Sequence, residues 1–290
     1  MSKVFFTKEI LGSSLLKLYA ALGVRLEGKV AVKLSSGEPG GKNFLSPDLI
    51  KPLVDLVSGT IVECNTAYEG GRNTTEKHIK TLKEHGFLDI ASCDIMDSEG
   101  EIRLPVTNGF HLKENIVGSH VKDYQSLLVL SHFKGHIMGG FGGALKNMSI
   151  GIASSGGKLH IHNAGQSMSF EDIFKTDQDS FLRSMADACK SVIDFYKKEN
   201  ILYINVLNNL SIDCDCDSHP KAPEMSDIGI LASLDPVALD KASVDMIYNS
   251  DDEGKASLIE RIESRNAILT VTAAEELGLG STVYELVSLD

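Results

Sequence analysis

The sequence predicts an α/β fold: a mainly parallel sheet flanked by helices, arranged as two Rossmann-like lobes around a cleft. Short apolar runs rich in β-branched residues, such as KVAVKL (29–34), TIVECN (60–65), LLVL (127–130) and ILYINVL (201–207), alternate with longer stretches at helical spacing. At 290 residues the chain is long enough for one large α/β domain or two smaller ones. The Gly- and Asp-rich stretch 97–120 marks the expected boundary, giving lobes over residues 1–120 and 121–290.

In chain order, residues 5–22 read as an opening helix, with Ile10, Leu11, Leu15, Leu18 and Tyr19 near helical spacing. The strand 29–34 runs into the turn SSGEPGG. Ser46-Pro47-Asp48 starts a helix, Ser46 as N-cap and Pro47 at its first position, with Pro52 awkward inside it. The strand 60–65 leads through TAYEGGRN to a polar helix over 74–85 that Gly86 closes. Strands are expected at 87–96, 101–106, 115–121 and 127–130, the last buried on both faces. Lys158–His162 (KLHIH) alternates and reads as a short strand. The longest helix covers 177–200, followed by strands at 201–207 and 228–232. Asp235-Pro236 caps a helix to about Tyr248, and two short helices over 254–266 and 271–278 end the chain.

The bulk numbers narrow the function. A formal net charge of −12 with no basic stripe argues against nucleic acid or an anionic membrane as partner. No run approaches the roughly 18 apolar residues a bilayer span needs, and the start has no leader-like pattern, so a cytoplasmic location is expected. Five cysteines, an odd count, fit a reducing compartment.

Four loops follow predicted strands: 35–42, 65–73, 132–147 and 208–219. Ligands of parallel sheets bind beyond the carboxyl ends of the strands, so one shared site is expected. The stretch 131–163 supplies its first half, with four of the nine histidines: His132, His136, His160 and His162. His132-x3-His136 would put two imidazoles on one face if helical. Gly139, Gly140, Gly142 and Gly143 let backbone N–H groups approach an anion, more so if a helix begins near Ala144. Lys146 can neutralise that anion, act as an acid or base, or form a covalent link, and Asn147 adjoins it. On an alternating strand His160 and His162 point the same way.

The second half is Asp213-Cys214-Asp215-Cys216-Asp217-Ser218-His219. Thiolates favour zinc or iron–sulfur chemistry, while carboxylates and His219 admit iron, nickel or manganese. Alternation puts Cys214 and Cys216 on one face and the three acids on the other, and either face can be the ligand face. Glu38, Asn65, Tyr68, Arg72, Asn73 and His78 lie in or after the remaining loops, where Arg72 can clamp a carboxylate or phosphate.

Together the segments KLSSGEPGGKNFLSP, CNTAYEGGRN, SHFKGHIMGGFGGALKNMSIGIAS, DCDC and SDIGILASLDPVALDKASVD resemble the family of uncharacterised Fe–S center proteins (domain of unknown function family 362). The resemblance runs from about residue 28 to the LGLGS–YEL ending. Many members carry a ferredoxin-like insert after the equivalent of Lys158–Asn163; here HIHNAGQSMSFEDIF passes directly to the long helix. A shorter likeness links His136 through Gly140, Gly142 and Gly143 to Lys146 with lactate-racemase-type proteins, which use a nickel-pincer nucleotide. That likeness implies an acid/base or coordinating role for His136 and a cofactor-holding role for Lys146.

The expected protein therefore carries a transition metal or iron–sulfur cluster. Its ligands come from Cys214, Cys216, His132, His136, His160, His162 and His219. The expected activity is a redox step on a small anionic organic substrate, with an electron-transfer partner. His136, Lys146 and His132 are the catalytic candidates. Gly139, Gly140, Gly142, Gly143, Arg72 and Asn147 are the anion-binding ones. The alternatives are an isomerase or racemase built on His136 and Lys146, and a non-enzymatic metal or cofactor carrier.

Overall fold

The computed structural model describes residues 1–290. Its first strands are β1 (Ser2–Thr7), β2 (Val30–Lys33), β3 (Thr60–Glu63), β4 (Cys93–Ile95), β5 (Glu101–Pro105) and β6 (Glu114–Gly118). β7 (Ser126–His132), β8 (Lys134–His136), β9 (Gly140–Gly142), β10 (Ile201–Leu207), β11 (Gly229–Ser233) and β12 (Tyr284–Ser288) follow. The helices are α1 (Gly12–Ala21), α2 (Pro47–Leu56), α3 (Thr75–Glu84), α4 (Ala144–Ser149) and α5 (Ser155–His162). The later ones are α6 (Gln178–Tyr196), α7 (Pro236–Tyr248), α8 (Lys255–Ser264) and α9 (Ile268–Glu276). None of them is long and apolar enough to cross a membrane.

Eight strands form one sheet in the order β12-β1-β11-β10-β7-β2-β3-β4. All pairs are parallel except those that β11 makes with β1 and β10, so the mainly parallel α/β fold holds. Strands from both sides of residue 120 contribute to it. Side chains alternate across the pleat, and helices cover both faces. Leu128, Leu130, Leu202 and Ile204 face one core with residues of α1, α2 and α3. Leu127, Val129, Ile201 and Tyr203 face the other with residues of α4, α6, α7 and α9.

Several elements differ from the sequence expectation. The opening residues are not helical: β1 occupies Ser2–Thr7, where Val4, Phe5 and Phe6 pair with Ser233, Ala232 and Leu231, and α1 begins only at Gly12. β12, half-exposed at the sheet edge, was not anticipated. Lys158–His162 is helical, not a strand. Ser154 caps α5 by accepting from the Gly157 N–H at 3.0 Å, and a Cβ on Gly157 would lie 1.8 Å from the Ile116 carbonyl, so the helix docks where only glycine fits. His160 and His162 therefore diverge around a helix. His132 and His136 share no helix either, one ending β7 and the other ending β8.

The chain order places a crevice. From β2 the connection goes outward to β3, whereas from β7 it goes the other way to β10, so the topology switches between β2 and β7. Such switch points open a cleft at the strand carboxyl ends. α4 enters beside it, and its first N–H groups are satisfied by a buried carboxylate: Ala144 and Leu145 donate to Asp240 at 2.8 and 2.9 Å. Asn205 Nδ2 donates to the same group at 2.8 Å.

Replacing Asp240 by alanine strands three buried donors, each costing about 1–3 kcal/mol. Asp240→Ala is expected to lower unfolding free energy by roughly 3 kcal/mol or more in urea titrations, and Asp240→Asn, which keeps one acceptor oxygen, by less. A loss below about 1 kcal/mol for the alanine variant contradicts this anchoring role.

Candidate functional site

All four loops meet over the switch point. Glu38 N–H donates to the Asp215 carbonyl and Gly135 N–H to the Ser211 carbonyl, at 2.9 and 2.8 Å. They enclose a cavity of about 560 Å³ lined by Lys33, Glu63, Tyr68 and Arg72 on one side and by His136, Lys146, Cys214 and Cys216 on the other.

The loop 213–217 does not alternate as a strand would: it turns, with the Asp217 N–H donating to the Cys214 carbonyl at 2.9 Å. The Asp215 side chain turns into the protein. Its Oδ1 lies 2.9 Å from His132 Nδ1 and its Oδ2 2.7 Å from Lys134 Nζ, all three groups being buried. Burial alone raises a carboxyl pKa; His132 and Lys134 overcome it and hold Asp215 far below the usual range. Burial likewise opposes the charge of Lys134, but Asp215 outweighs it and the pKa of Lys134 is raised. Asp213 and Asp217 accept from the Lys221 and His219 N–H groups, which ties the turn to itself. The opposite face carries the thiols.

Cys214, Cys216 and His136 bring their ligand atoms within 4.8 Å of one another, a group able to hold a metal ion. The Cys216 thiol donates to Cys214 and lowers its pKa; burial opposes this, while Lys146, 4.0 Å from the sulfur, and His136 reinforce it, leaving Cys214 well below the ordinary thiol range. The same contact pushes Cys216 well above it. Burial, and then Lys146, lower the pKa of His136, so its ring is neutral at pH 7. Gly139 N–H lies 2.8 Å from His136 Nδ1, and an N–H can only donate. The neutral ring therefore carries its proton on Nε2, the nitrogen left for Cys214.

The cavity floor is a buried ionic network. Lys33 Nζ sits 2.7 Å from Glu63, and Arg72 reaches Glu38 at 2.8 Å and Glu63 at 3.4 Å. Burial works against the Glu63 charge, but Lys33, His78 and Arg72 bring its pKa down to about 2. Asn147 closes the gap between β2 and β7, donating to the Lys33 carbonyl at 3.0 Å and to Ser131 Oγ at 3.1 Å. Lys146 and Lys158 also line the cavity and have no carboxylate partner; Lys158 donates to the Ala153 carbonyl. Burial lowers the Lys158 pKa.

Residues 30–245 match the family described as "Domain of unknown function (DUF362)". The chain belongs to this family. Among solved structures, this DUF362 protein is similar to the lactate racemase apoprotein from Thermoanaerobacterium thermosaccharolyticum. There the identity is 16% and the TM-score 0.42, over 71% of this chain and 50% of that one. It is also similar to a protein from Thermotoga maritima, with 14% identity and a TM-score of 0.45 over 93% of this chain and 59% of that one. The chain thus spans half to three-fifths of the length of those two proteins. No curated protein matches it.

Within this DUF362 chain the predicted residues fall into distinct surroundings. His136, Lys146, Cys214 and Cys216 converge, and His162 lines the same cavity with its ring stacked 4.7 Å from Phe181. His132 has both nitrogens facing acceptors, Asp215 and the Asn208 carbonyl at 2.7 Å. His160 lies outside the cavity, and His219 is exposed beside Ser218. Arg72 and Asn147 line the cavity with their polar groups committed to protein partners. The α4 N–H groups expected to cradle an anion are taken by Asp240, and Gly143 is where a Cβ would lie 2.4 Å from that carboxylate. Gly140, at φ +78°, forms the hairpin against Ala267, Gly139 orients His136, and Gly142 borders the cavity beside Lys134 and Lys146. Lys33, Glu63, Cys64 and Lys158 also line the cavity, which the loop pattern of the sequence does not predict. Lys33 and Glu63 had a signal: charges inside otherwise apolar strand runs seldom sit there unpaired.

The donor set discriminates between metal centres. Two thiols and an imidazole at one point fit a single thiophilic transition metal with a position left toward the cavity. A four-thiolate cluster does not fit. Of the five cysteines only Cys214 and Cys216 come together; Cys64 borders the cavity, but its thiol donates to the Ile152 carbonyl and burial pushes its pKa up to about 12.

Acid stability follows from the buried rings. Burial lowers His78 to about 3 and His162 to about 4, against 6.5 in the unfolded chain. The unfolded state then takes up protons first, so this stability is whole above pH 6.5 and drains as pH falls toward 3. Glu63 extends the loss below 4.5. Asp240, which burial raises from 3.8 to about 6, acts in the opposite sense between those values. His120, which its bond to Asp94 raises, also acts in the opposite sense, whereas His136 and His160, lowered by burial, act with His78 and His162. Calorimetry is expected to show Tm falling from about pH 7.5 to about pH 5. A Tm that is flat or rising over that interval contradicts the neutral, buried state of the two rings.

Proposed function

We propose that this protein holds a thiophilic transition metal at Cys214 and Cys216 and carries out a redox step on a small organic anion in the adjoining cavity. The observation that carries this reading is the convergence of a low-pKa thiolate, a second thiol, a neutral imidazole and two lysines without carboxylate partners, one of them 4.0 Å from that thiolate. In a chain of net charge −12, cations gathered around an enclosed space favour an anionic ligand.

A metal held there supplies Lewis-acid or electron-transfer chemistry at the edge of the cavity. Cys214 and Cys216 are its ligands. His136 joins them through Nε2 only by giving up that nitrogen's proton, which means releasing the Gly139 N–H; with that bond kept, the ring is a proton donor beside the thiolate. Lys146 and Lys158 bind the anionic head. Glu63, Glu38 and Asp215 neutralise Lys33, Arg72 and Lys134, so those cations shape the floor and add little net attraction. The fixed Nε2–H of His136 next to Lys146 favours a second reading, a proton-shuttling isomerase at the same site.

Protein purified anaerobically is expected to contain about one thiophilic metal per chain, with thiolate-to-metal charge-transfer absorption. Cys214→Ser with Cys216→Ser should remove both the metal and the bands. Metal retained by the double variant sinks the thiolate assignment. Lys146→Met is expected to weaken binding of a short carboxylate such as butyrate by roughly tenfold or more, in keeping with loss of a charge-assisted contact. An unchanged Kd in calorimetric titration counts against Lys146 as the anion anchor.

A further inference from the structure

The outer part of the cavity has a different character from its floor. Ile137, Phe170 and Phe174 line it while remaining 61%, 42% and 75% exposed. A lone exposed apolar residue is ordinary, but here three large ones share one rim, above the half-buried Leu159 and the buried Ile173.

The hairpin side of this rim is held in place by the protein. Gln178 Nε2 donates to the Met138 carbonyl at 2.8 Å and Arg265 Nε to the Ile137 carbonyl at 2.6 Å, which fixes the hairpin turn. Phe170 and Phe174 meet edge to face with centroids 5.9 Å apart. An apolar rim fixed before a ligand arrives lowers the ordering cost of binding one.

Size decides what occupies it. At ~30 Å³ per water, 560 Å³ corresponds to on the order of twenty waters. A short acid seated on Lys146 and Lys158 leaves most of that space, and all of the apolar rim, in contact with water. We infer that the ligand is an amphipathic organic anion. An oxyanion head sits between Lys146 and Lys158, and an aliphatic or aromatic tail runs outward against Ile137, Phe170 and Phe174. This rests on the anion-binding part of the proposed function and is independent of the metal.

The test is the dependence of affinity on tail length for the full chain, using acetate, butyrate, hexanoate, 4-phenylbutyrate and uncharged hexanol in calorimetric titrations. Affinity is expected to rise up to about fourfold per methylene, in line with burial of each CH₂. Phe174→Ser and Ile137→Ser, both at exposed positions and checked for folding by circular dichroism, should flatten that slope. Lys146→Met should weaken every carboxylate alike and keep the slope. Acetate binding as tightly as hexanoate overturns the tail subsite and leaves the anion reading standing. Hexanol binding as tightly as hexanoate overturns the anionic head, and with it the anion reading of the cavity.

Discussion

The site depends on one buried carboxylate. Asp215 sits under a loop with no regular secondary structure, between His132 at the end of β7 and Lys134 at the start of β8. Removing one member of a buried charged set typically costs about 3–5 kcal/mol, because the partners stay behind uncompensated. The loop can reach this position because Gly135 has no side chain: a Cβ there would lie 2.3 Å from the Ile212 carbonyl. Residues 214–217 form a turn, closed by the Asp217 N–H donating to the Cys214 carbonyl at 2.9 Å, and with Asp215 turned inward Cys214 and Cys216 border the cavity. A structural ion pair thus decides which atoms are available for chemistry.

The same logic divides the cations. Lys33, Arg72 and Lys134 are each matched by an acid buried with them, so their charges cancel locally and serve architecture. Lys146 and Lys158 are not matched. Enclosing an ammonium without a buried counter-charge is costly, as the lowered pKa of Lys158 records, and on the proposed reading an anion relieves that cost. Lys146 lies 4.0 Å from the Cys214 sulfur, where its charge favours the thiolate.

Much of this was legible in the sequence. Apolar runs such as ILYINVL and caps such as Asp235-Pro236 marked the sheet and its helices, and loops following strands marked where the site would lie. What was not legible depended on distant partners. KLHIH alternates like a strand, yet Ser154 and the tight docking of Gly157 make it helical. The glycine run before Ala144 reads as an anion cradle until Asp240, nearly a hundred residues away, is seen to cap it. The DCDC alternation offered two ligand faces, and only the His132–Lys134 cleft, absent from any local pattern, selects between them. Local periodicity specifies elements; which polar group ends up facing which is a tertiary fact.

The division of labour between floor and rim follows from how each is held. Lys33, Glu63 and His132 project from the carboxyl ends of central strands, where side chains are fixed by the sheet and by one another. Ile137 and Met138 belong to a hairpin turn whose carbonyls accept from Arg265 and Gln178, and Phe170 and Phe174 to the approach to α6. A change at the rim alters apolar contact area without disturbing a buried charge, whereas a change at the floor leaves an uncompensated ion. On the proposed reading a ligand tail can vary at Phe170 and Phe174 away from the ionic supports of Cys214, whereas Ile137 and Met138 directly follow β8, which carries Lys134, the partner of Asp215.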